Sequence, residues 1–300
     1  MHLSKLGQLY HKEFRQIQAR KISASVAAST LPNVELFGIR DGSNLILTYA
    51  KGGHITTELL AKGHFQRDDL LLAVKIAQSE GFSTHGTFID VGANIGTQTV
   101  YALQAGFTRA ICFEPEPRNY RLLRANIILN GLENATSTFQ MAVSDIAGNV
   151  EFEISIENIG DHRVSLTNDD GEFNEKGRAR ISVARAPLDE LLATAGISTA
   201  EISMLWTDTQ GHEDAVLAGA SSIRRANVPV LLELWPYALE RSGGTRRLLD
   251  ILREAYTHFY DLNERPQPRR RPISDLNAVV EQLKDIQNTD ILVFRGSRNA

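Results

Sequence analysis

The residues best suited to chemistry begin with a glycine-bearing turn. Phe88-Ile89-Asp90-Val91 is typical of a buried strand, and Gly92-Ala93-Asn94-Ile95-Gly96 leads from it into a predicted helix. Gly92 permits a tight turn and lets a ligand approach the backbone, while the start of the helix offers unpaired N–H groups. An adenosyl ligand that ends in a carboxylate suits such a site; an ordinary strand-to-helix turn without a ligand is the alternative.

The glycine pattern argues against a dinucleotide. A dinucleotide-binding turn has the form G-x-G-x-x-G, but here Ala93 follows Gly92 and Asn94 takes the second glycine position. The carboxylate of Asp90, at the end of the strand, repels a diphosphate and attracts an ammonium group. The turn therefore favours a ligand that carries an amine and lacks a diphosphate.

A second acidic position follows the next predicted strand. Arg109–Phe113 ends at Glu114-Pro115, about twenty residues downstream of the glycine turn, where an acidic side chain accepts hydrogen bonds from both ribose hydroxyls. We expect Glu114 to bind a ribose. A solvated acid at a strand end is the alternative.

Four further groups lie at the ends of later predicted strands. Asp208 ends strand four, His212 and Glu213 follow it, and Glu233 ends strand five, and open α/β sheets bind ligands at this edge. We expect Asp208, His212 or Glu213 to be a general base or to orient a substrate hydroxyl, because carboxylates accept protons and the pKa of histidine lies near neutral pH. Glu233 is expected to bind substrate hydroxyls.

Two alternatives stay open for these residues. His212 has the position to cap the helix that follows it, and Asp208, His212 and Glu213 together contain metal-ligand types. Their spacing matches no recognised zinc pattern and no cysteine assists, so no metal site is predicted.

Several motifs, in order, resemble the FkbM family of methyltransferases over residues 87–236. The matching segments are Asp90–Gly96, Glu114–Pro117, Asn126 with Asn130-Gly131-Leu132, Ala142–Asp145, Asp208–Glu213 and Leu231–Pro236. The resemblance implies a class I, Rossmann-like methyltransferase with S-adenosylmethionine as cofactor. It places Asp90, Gly92, Ala93, Asn94, Gly96, Glu114 and Pro115 at the cofactor, with Asp145 near the adenine.

One departure from the family pattern concerns the residue two places before Asp208. The family often has Lys-x-Asp there, whereas this chain has Trp206-Thr207-Asp208, so any role of that lysine in orienting substrate is in doubt. Trp206 is interpreted either as an aromatic surface for a sugar or as a packed strand residue.

The elements that must position these residues alternate between strand and helix from Phe88 onward, as in a parallel sheet covered on both faces. Strands are predicted at Thr87–Val91, Arg109–Phe113, near Thr138–Val143, at Met204–Thr207, Val230–Leu234, His258–Asp261 and Asp290–Phe294; helices at Ile95–Gln104, Pro117–Leu129, Leu188–Thr194, Glu213–Ala220 and near Thr245–Ala255. The expected fold is α/β, a doubly wound, mostly parallel sheet of seven strands with the seventh antiparallel. A strand at Val150–Ile156 and a mobile loop at Asn158–Arg178 interrupt the alternation.

The first eighty residues form a predicted extension to the catalytic domain at 81–300. Leu3, Leu6, Tyr10, Phe14 and Ile17 indicate an amphipathic helix that packs on the domain or on a second subunit of a homodimer. A membrane surface is the alternative. A hairpin (Val34–Ile39, Leu45–Ala50) and a helix capped by Asp68 (Asp68–Ser79) follow. With the loop at Asn158–Arg178, this extension is expected to form a lid over the acceptor.

Composition excludes several classes of partner. With 32 Lys and Arg against 36 Asp and Glu, the net charge of −4 lacks the positive field that nucleic-acid binding requires. No run approaches a membrane span, and the single cysteine, Cys112, permits no internal disulfide. We expect a cytoplasmic protein without integral membrane contact. The Arg265–Pro272 segment is interpreted as a phosphate-binding loop or a solvated one.

These observations predict an S-adenosylmethionine-dependent O-methyltransferase that acts on a hydroxyl of a small molecule, a sugar or glycosylated metabolite. A catalytically silent adenosyl-binding module and a nucleotide-sugar or NAD enzyme on a similar sheet are the alternatives.

Overall fold

The computed structural model describes residues 19–21, 23, 33–264, 266–283 and 286–296. The predicted N-terminal helix lies almost wholly outside these residues. The strands are β1 (Leu36–Asp41), β2 (Asn44–Tyr49), β3 (Thr87–Val91), β4 (Arg109–Phe113), β5 (Thr136–Phe139), β6 (Ala142–Ser144), β7 (Gly148–Ile154), β8 (Arg163–Val164), β9 (Ala179–Pro187), β10 (Ile202–Thr207), β11 (Val230–Leu234), β12 (His258–Asp261), β13 (Arg271–Pro272) and β14 (Thr289–Phe294). The helices are α1 (His54–Lys62), α2 (Arg67–Ser79), α3 (Thr97–Gln104), α4 (Pro117–Leu129), α5 (Leu188–Thr194), α6 (Glu213–Ala218), α7 (Ser221–Arg225), α8 (Pro236–Ser242), α9 (Thr245–Ala255) and α10 (Leu276–Gln282).

The large sheet confirms the predicted doubly wound topology. Its order is β13-β12-β14-β11-β10-β3-β4-β5, and β14 runs antiparallel between β11 and β12, as expected for the last strand. The eighth strand, the two-residue β13, was not predicted. Every residue of β3 and of β11 is buried, because helices cover both faces of a sheet of this kind.

Alternate residues of each central strand pack on opposite faces. Ile89 and Val91 of β3 belong to a cluster that includes side chains of α5, α6 and α9. Phe88, on the same strand, packs with residues of α2 and α3 on the other face. The carboxyl ends of β3, β4, β10 and β11 lie along one edge because these strands pair in parallel.

Two asparagines of α4 attach the N-terminal hairpin to the sheet domain. The side chain of Asn126 accepts from Leu47 N (2.7 Å) and donates to Leu47 O (3.0 Å), and Asn130 does the same with Leu45 (3.0 and 2.9 Å). Four residues of helix rise about 6 Å and two residues of strand about 6.8 Å. The Asn-x-x-x-Asn spacing therefore presents two amides that pair with alternate residues of β2.

The polar composition of the segment at 158–178 predicted a mobile loop, but part of the segment has regular structure. It contains β8 and a short 3₁₀ turn at Glu175–Gly177 beside a small sheet of order β6-β9-β7-β8. The side chains of Arg163 and Arg178 are buried in ion pairs, because both contact Asp161 and Glu153. Opposite charges that neutralise each other can be buried, and single-residue polarity does not reveal such pairing.

Smaller differences from the predicted elements lie at helix and strand ends. The first helix of the sheet domain begins at Thr97 rather than Ile95, and Gln66, not Asp68, is the N-cap residue of α2, without a side-chain capping bond. The predicted strand at 138–143 is two strands, because the chain leaves the large sheet after Phe139 and joins the small one at Ala142. Helix α1 and strand β9 were not predicted. None of the helices in the described part of the chain has the length and apolar character that crossing a bilayer requires.

Candidate active site

A cavity of about 870 Å³ opens at the carboxyl edge of the large sheet. That volume falls in the range of small-molecule sites, roughly 300–1,000 Å³. Its wall includes residues that follow β3, β4, β10 and β11 and residues that precede β14. The wall also includes His54, Phe65 and Gln66 of the extension and residues 154–162. The cavity thus joins the strand ends where the sequence had predicted cofactor and acceptor residues.

The turn after β3 brings the backbone close to the cavity. Gly92 has φ 83°, and a Cβ atom there would lie 2.0 Å from the carbonyl oxygen of Asp208. The N–H groups of Gly92 and Ala93 both donate to Phe113 O at 3.0 Å. Only glycine fits this position, because both the backbone conformation and the space exclude a side chain.

Glu114 is held by backbone donors at the end of β4. Its Oε2 accepts from Asn94 N and its Oε1 from Glu116 N, both at 2.8 Å. Burial raises the pKa of the carboxyl to about 8. Each oxygen keeps a further lone pair, and Glu114 lines the cavity together with Pro115 and Asn94. The carboxyl is therefore fixed in one orientation, and its ionised form has capacity for two hydroxyl donors.

Four predicted cofactor residues do not line the cavity: Asp90, Ala93, Gly96 and Asp145. Asp90 is fully buried, accepts from Thr99 Oγ1 (2.5 Å), and has its pKa raised to about 7 by burial. A Cβ at Gly96 would lie 2.6 Å from Leu123 Cδ1, so this glycine serves packing. Asp90, Ala93 and Gly96 thus support the turn without lining the cavity, and Asp145 instead pairs with Arg247.

A cluster of four polar side chains occupies the next strand ends. Gln210 Nε2 donates to Asp208 Oδ1 (2.6 Å) and to Glu233 Oε2 (3.0 Å), and Asn288 Nδ2 donates to Glu233 Oε1 (2.5 Å). All four line the cavity. The sequence offered no signal for Asn288, which precedes β14 without belonging to a motif.

The two carboxyl groups of this cluster both have raised pKa values. Burial, and then the nearby charge of Asp208, raises the pKa of Glu233 well above its usual range, while burial raises that of Asp208. Glu233 and Asp208 are hydrogen-bonded to each other. Two adjacent buried carboxylates cannot both ionise at low cost, so the pair binds a proton more tightly than an isolated carboxyl does.

Glu213 and His212 have different environments from Asp208. Glu213 accepts from Thr209 N and Thr209 Oγ1 (both 2.8 Å) and from Gly211 N (3.1 Å), and burial raises its pKa to about 7. It does not line the cavity but braces the turn from inside. His212 does line the cavity, and its Nε2 lies 3.0 Å from Ser144 Oγ.

His212 does not act as a side-chain cap. It is the N-cap residue of α6, yet its side chain makes no capping bond. Burial lowers the pKa of its imidazole to about 4, so the ring is neutral at pH 7. The capping interpretation is therefore wrong, and a neutral ring stands in the cavity wall.

Two further predicted features, Trp206 and the arginine-rich segment 265–272, differ in their relation to the cavity. Trp206 is 2% exposed and packs in the core, although one edge reaches the cavity. In segment 265–272, of which Arg265 lies outside the described residues, each arginine is paired: Arg269 with Glu264, Arg270 with Glu80 and Arg271 with Asp275. Each arginine in the described part of that segment therefore has a carboxylate partner.

Residues 154–178, many of which line the cavity, are called its roof, and they are hydrogen-bonded to the turn that follows β3. The carbonyl oxygen of Ile159 accepts from Asn94 Nδ2 (2.7 Å) and from Asn119 Nδ2 (2.9 Å). Further along the roof, Phe173 contacts Trp235 edge to face, with ring centroids 5.5 Å apart. Sequence reasoning missed this roof, because its contacts join segments far apart in the chain.

The FkbM methyltransferase domain model matches residues 90–257, more than half of the 300 residues. The chain belongs to the FkbM family of methyltransferases. The matched region begins at Asp90 of the glycine turn and includes Glu114, Asp208 and Glu233. No curated protein matches the chain. In the described residues, no group of three or more His, Cys, Asp or Glu side chains has the arrangement of a metal site.

Solved structures with similar folds include other methyltransferases. FkbM from Methylobacillus flagellatus KT has 16% identity and a TM-score of 0.41 over 71% of this chain and 44% of its own, so the match spans less than half of that protein. A putative O-methyltransferase from Klebsiella pneumoniae has 8% identity and a TM-score of 0.43 over 93% and 90% of the two chains. An O-methyltransferase from Bacillus cereus, in complex with SAH, has 9% identity and a TM-score of 0.41 over 76% and 80%.

Proposed function

We propose that this FkbM-family methyltransferase transfers the methyl group of S-adenosylmethionine to a hydroxyl of a small-molecule acceptor, a sugar or glycosylated metabolite. One observation carries the proposal. A single cavity joins Gly92 and Glu114 to the hydrogen-bonded carboxyl pair of Asp208 and Glu233.

The part of the cavity around Gly92 and Glu114 fits an adenosyl group in three respects. Gly92 lets the turn pack against the backbone of Asp208 while lining the cavity, and Glu114 has lone pairs for two ribose hydroxyls. Phe113, Met141 and Val143 give an apolar wall on one side, which suits a purine. On the other side Thr97 and Gln98, at the start of α3, offer polar groups and free N–H donors for a carboxylate.

Bound S-adenosylmethionine supplies an electrophilic methyl group, and the chain's own residues must handle the acceptor. The hydroxyl donates to Asp208, which takes the proton as the oxygen–methyl bond forms and the sulfur–methyl bond breaks. The raised pKa of Asp208 makes it a stronger base than an ordinary aspartate. Glu233 and Gln210 hold Asp208 in position through their hydrogen bonds.

A polyol acceptor suits the rest of the cluster. Gln210 and Asn288 provide amide groups beside the two carboxyls, so neighbouring hydroxyls find both donors and acceptors. Phe173 and Trp235 line the same part of the cavity and present apolar ring surface. Alternating polar and apolar contacts of this kind match a sugar ring.

We further propose that residues 1–80 form an extension to the catalytic domain at 81–300 and act with the roof as a lid. His54, Ile55, Phe65 and Gln66 of that extension line the cavity. Enclosure of this kind excludes water and aligns the nucleophile with the methyl group. We also propose that the protein forms a homodimer.

Calorimetry with S-adenosylhomocysteine, S-adenosylmethionine and NAD tests the cofactor. We expect the adenosyl ligands to bind and NAD to fail, because the turn has no diphosphate cradle. Binding of NAD without the adenosyl ligands would contradict the proposal. Methyl transfer to a panel of sugars, with the demethylated cofactor quantified, then tests catalysis; tight cofactor binding without turnover on any hydroxylated acceptor would favour a silent adenosyl-binding module.

A further inference from the structure

Residues with a left-handed backbone are concentrated around the cavity. Among the described residues, five that are not glycine have a positive φ: Gln66 (51°), Asn94 (50°), Asn174 (54°), Gln210 (57°) and Asn227 (55°). All of them except Asn227 line the cavity. This conformation is strained for a residue with a side chain, and such strain is concentrated at functional sites. The lining positions are therefore candidates for contacts with a ligand.

The carboxamide of Asn174 differs from the other carboxamides of this set that line the cavity. Gln210 Nε2 bridges the carboxyl pair (2.6 and 3.0 Å), Asn94 Nδ2 donates to Ile159 O (2.7 Å), and Gln66 Oε1 accepts from a glutamine of α3 (2.8 Å). Asn174 precedes the short 3₁₀ turn without a side-chain capping bond, and its amide makes no other hydrogen bond to the described residues. The residue is exposed at the cavity, so a ligand can reach its amide.

The corner of the roof that carries Asn174 is nevertheless fixed on both sides. Tyr237 Oη accepts from Glu172 N and donates to Glu175 Oε1, both at 2.7 Å. Glu175 Oε2 in turn accepts from Phe173 N (2.9 Å). A left-handed backbone persists only where its surroundings hold it, and here the residues before and after Asn174 are both bonded to Tyr237 of α8. The roof thus keeps an unengaged amide in one place.

This corner packs on the side of the cavity that we assign to the acceptor. Phe173 contacts Trp235 edge to face, with ring centroids 5.5 Å apart. Trp235 follows β11, the strand of Glu233, and its Nε1 donates to Ile286 O (3.1 Å). Phe173, Trp235 and Ile286 all line the cavity. The residue next to Asn174 therefore packs on the wall that carries Glu233.

We propose that Asn174 is an acceptor-binding residue, whose carboxamide exchanges hydrogen bonds with an acceptor hydroxyl other than the one that is methylated, and that Tyr237 is its positioning residue. The inference rests on the proposed function and deepens it, because it assigns acceptor recognition to the roof. A carboxamide has donors and an acceptor, as a hydroxyl does, and it carries no charge. The site thus suits a neutral, hydroxylated acceptor beside the rings of Phe173 and Trp235.

Steady-state kinetics on the full chain with a panel of methyl hexosides and methyl deoxyhexosides tests this assignment. Asn174→Gly permits the left-handed backbone and removes only the amide. With the glycoside that the wild type methylates best, KM should rise about three- to tenfold, the scale of one neutral hydrogen bond, and kcat should fall by less than about twofold. Calorimetry should show unchanged affinity for S-adenosylhomocysteine.

Asn227→Gly is the matched control for the backbone. Asn227 does not line the cavity, and its side chain donates to Arg295 O (2.8 Å) and accepts from Arg295 N (2.6 Å). This variant should have a lower melting temperature and an unchanged KM. Asn174→Gly should melt close to the wild type, since it loses no bond within the described structure and glycine relieves the strain.

Tyr237→Phe tests the positioning role. It keeps the ring but removes the hydroxyl that holds Glu172 and Glu175, so KM should rise while the affinity for S-adenosylhomocysteine stays unchanged. In the double variant with Asn174→Gly the two effects on KM should not add, because both remove the same contact. Effects that add in full would show that Tyr237 does not position Asn174.

An unchanged KM in folded Asn174→Gly would overturn the assignment, as would an equal rise of KM in Asn227→Gly. Weaker binding of S-adenosylhomocysteine to Asn174→Gly would place the residue at the cofactor instead. If the wild type binds S-adenosylhomocysteine but methylates none of the glycosides, the proposed sugar acceptor itself fails and this inference falls with it.

Discussion

The two halves of the cavity are built in different ways. The half that we assign to the cofactor consists of a turn in which Gly92 packs closely against Asp208 and of Glu114, whose carboxyl is held by two backbone N–H groups. In the acceptor half, side chains hold one another: Gln210 bridges Asp208 and Glu233, and Asn288 completes the cluster. One half depends on backbone conformation and the other on contacts between distant side chains.

Because of this difference, substitutions in the two halves should have different effects on stability and on turnover. A backbone cradle tolerates almost no change of shape, so substitutions there should affect folding and cofactor binding together. A side-chain cluster can lose one polar atom and keep its shape, so substitutions there should affect turnover while cofactor affinity stays. Three experiments test that separation.

The largest expected effect is that of Asp208→Asn on turnover. The amide keeps the volume but cannot take the hydroxyl proton, so the turnover number should fall by about 10²–10⁴ while affinity for S-adenosylhomocysteine stays within a few-fold. Asp68→Asn, at a side chain 71% exposed, is the control. Unchanged turnover would remove Asp208 as the base. Loss of activity with a chelator and recovery with magnesium would instead make the carboxyl pair a metal ligand.

Gly92→Ala should have the next largest effect, on folding and cofactor binding together. The new Cβ would lie 2.0 Å from Asp208 O in a backbone with φ 83°, and strain plus overlap should cost about 3–5 kcal/mol in the free energy of unfolding. Gly81→Ala is the matched control, because φ is 89° there and a Cβ meets nothing within 4 Å. Its cost should be only about 1 kcal/mol, from strain alone. Equal losses in chemical denaturation would show that the close approach at Gly92 is unimportant.

Glu114→Ala should have the smallest of the three effects. Loss of the ribose acceptors should weaken cofactor binding by about 1.5–3 kcal/mol, and the N–H groups of Asn94 and Glu116 lose their partner. The free energy of unfolding should therefore fall as well, unlike in Asp208→Asn. Exposed Glu133→Ala is the control. Unchanged cofactor affinity in a folded variant would place the ribose elsewhere and end the distinction between the two halves.

The amino-acid sequence by itself determined the sheet and the cofactor turn. Strands β3, β4 and β11 have the predicted bounds, because buried strands have short continuous apolar runs that local composition reveals. The Gly92 turn and Glu114 are detectable for a similar reason: each lies within a few residues of a strand end, so its place follows from that of the strand.

Only the tertiary structure decided which side chains meet. Glu233 and Asn288 are 55 positions apart, and Ser144 and His212 are 68 apart. Asp208 lines the cavity and Glu213 does not, although both were candidates from one motif. In the roof, folding brings Arg163 and Arg178 together with Asp161. The physical reason is that pairing and burial depend on partners brought together by folding, and residue type and spacing along the chain do not specify those partners.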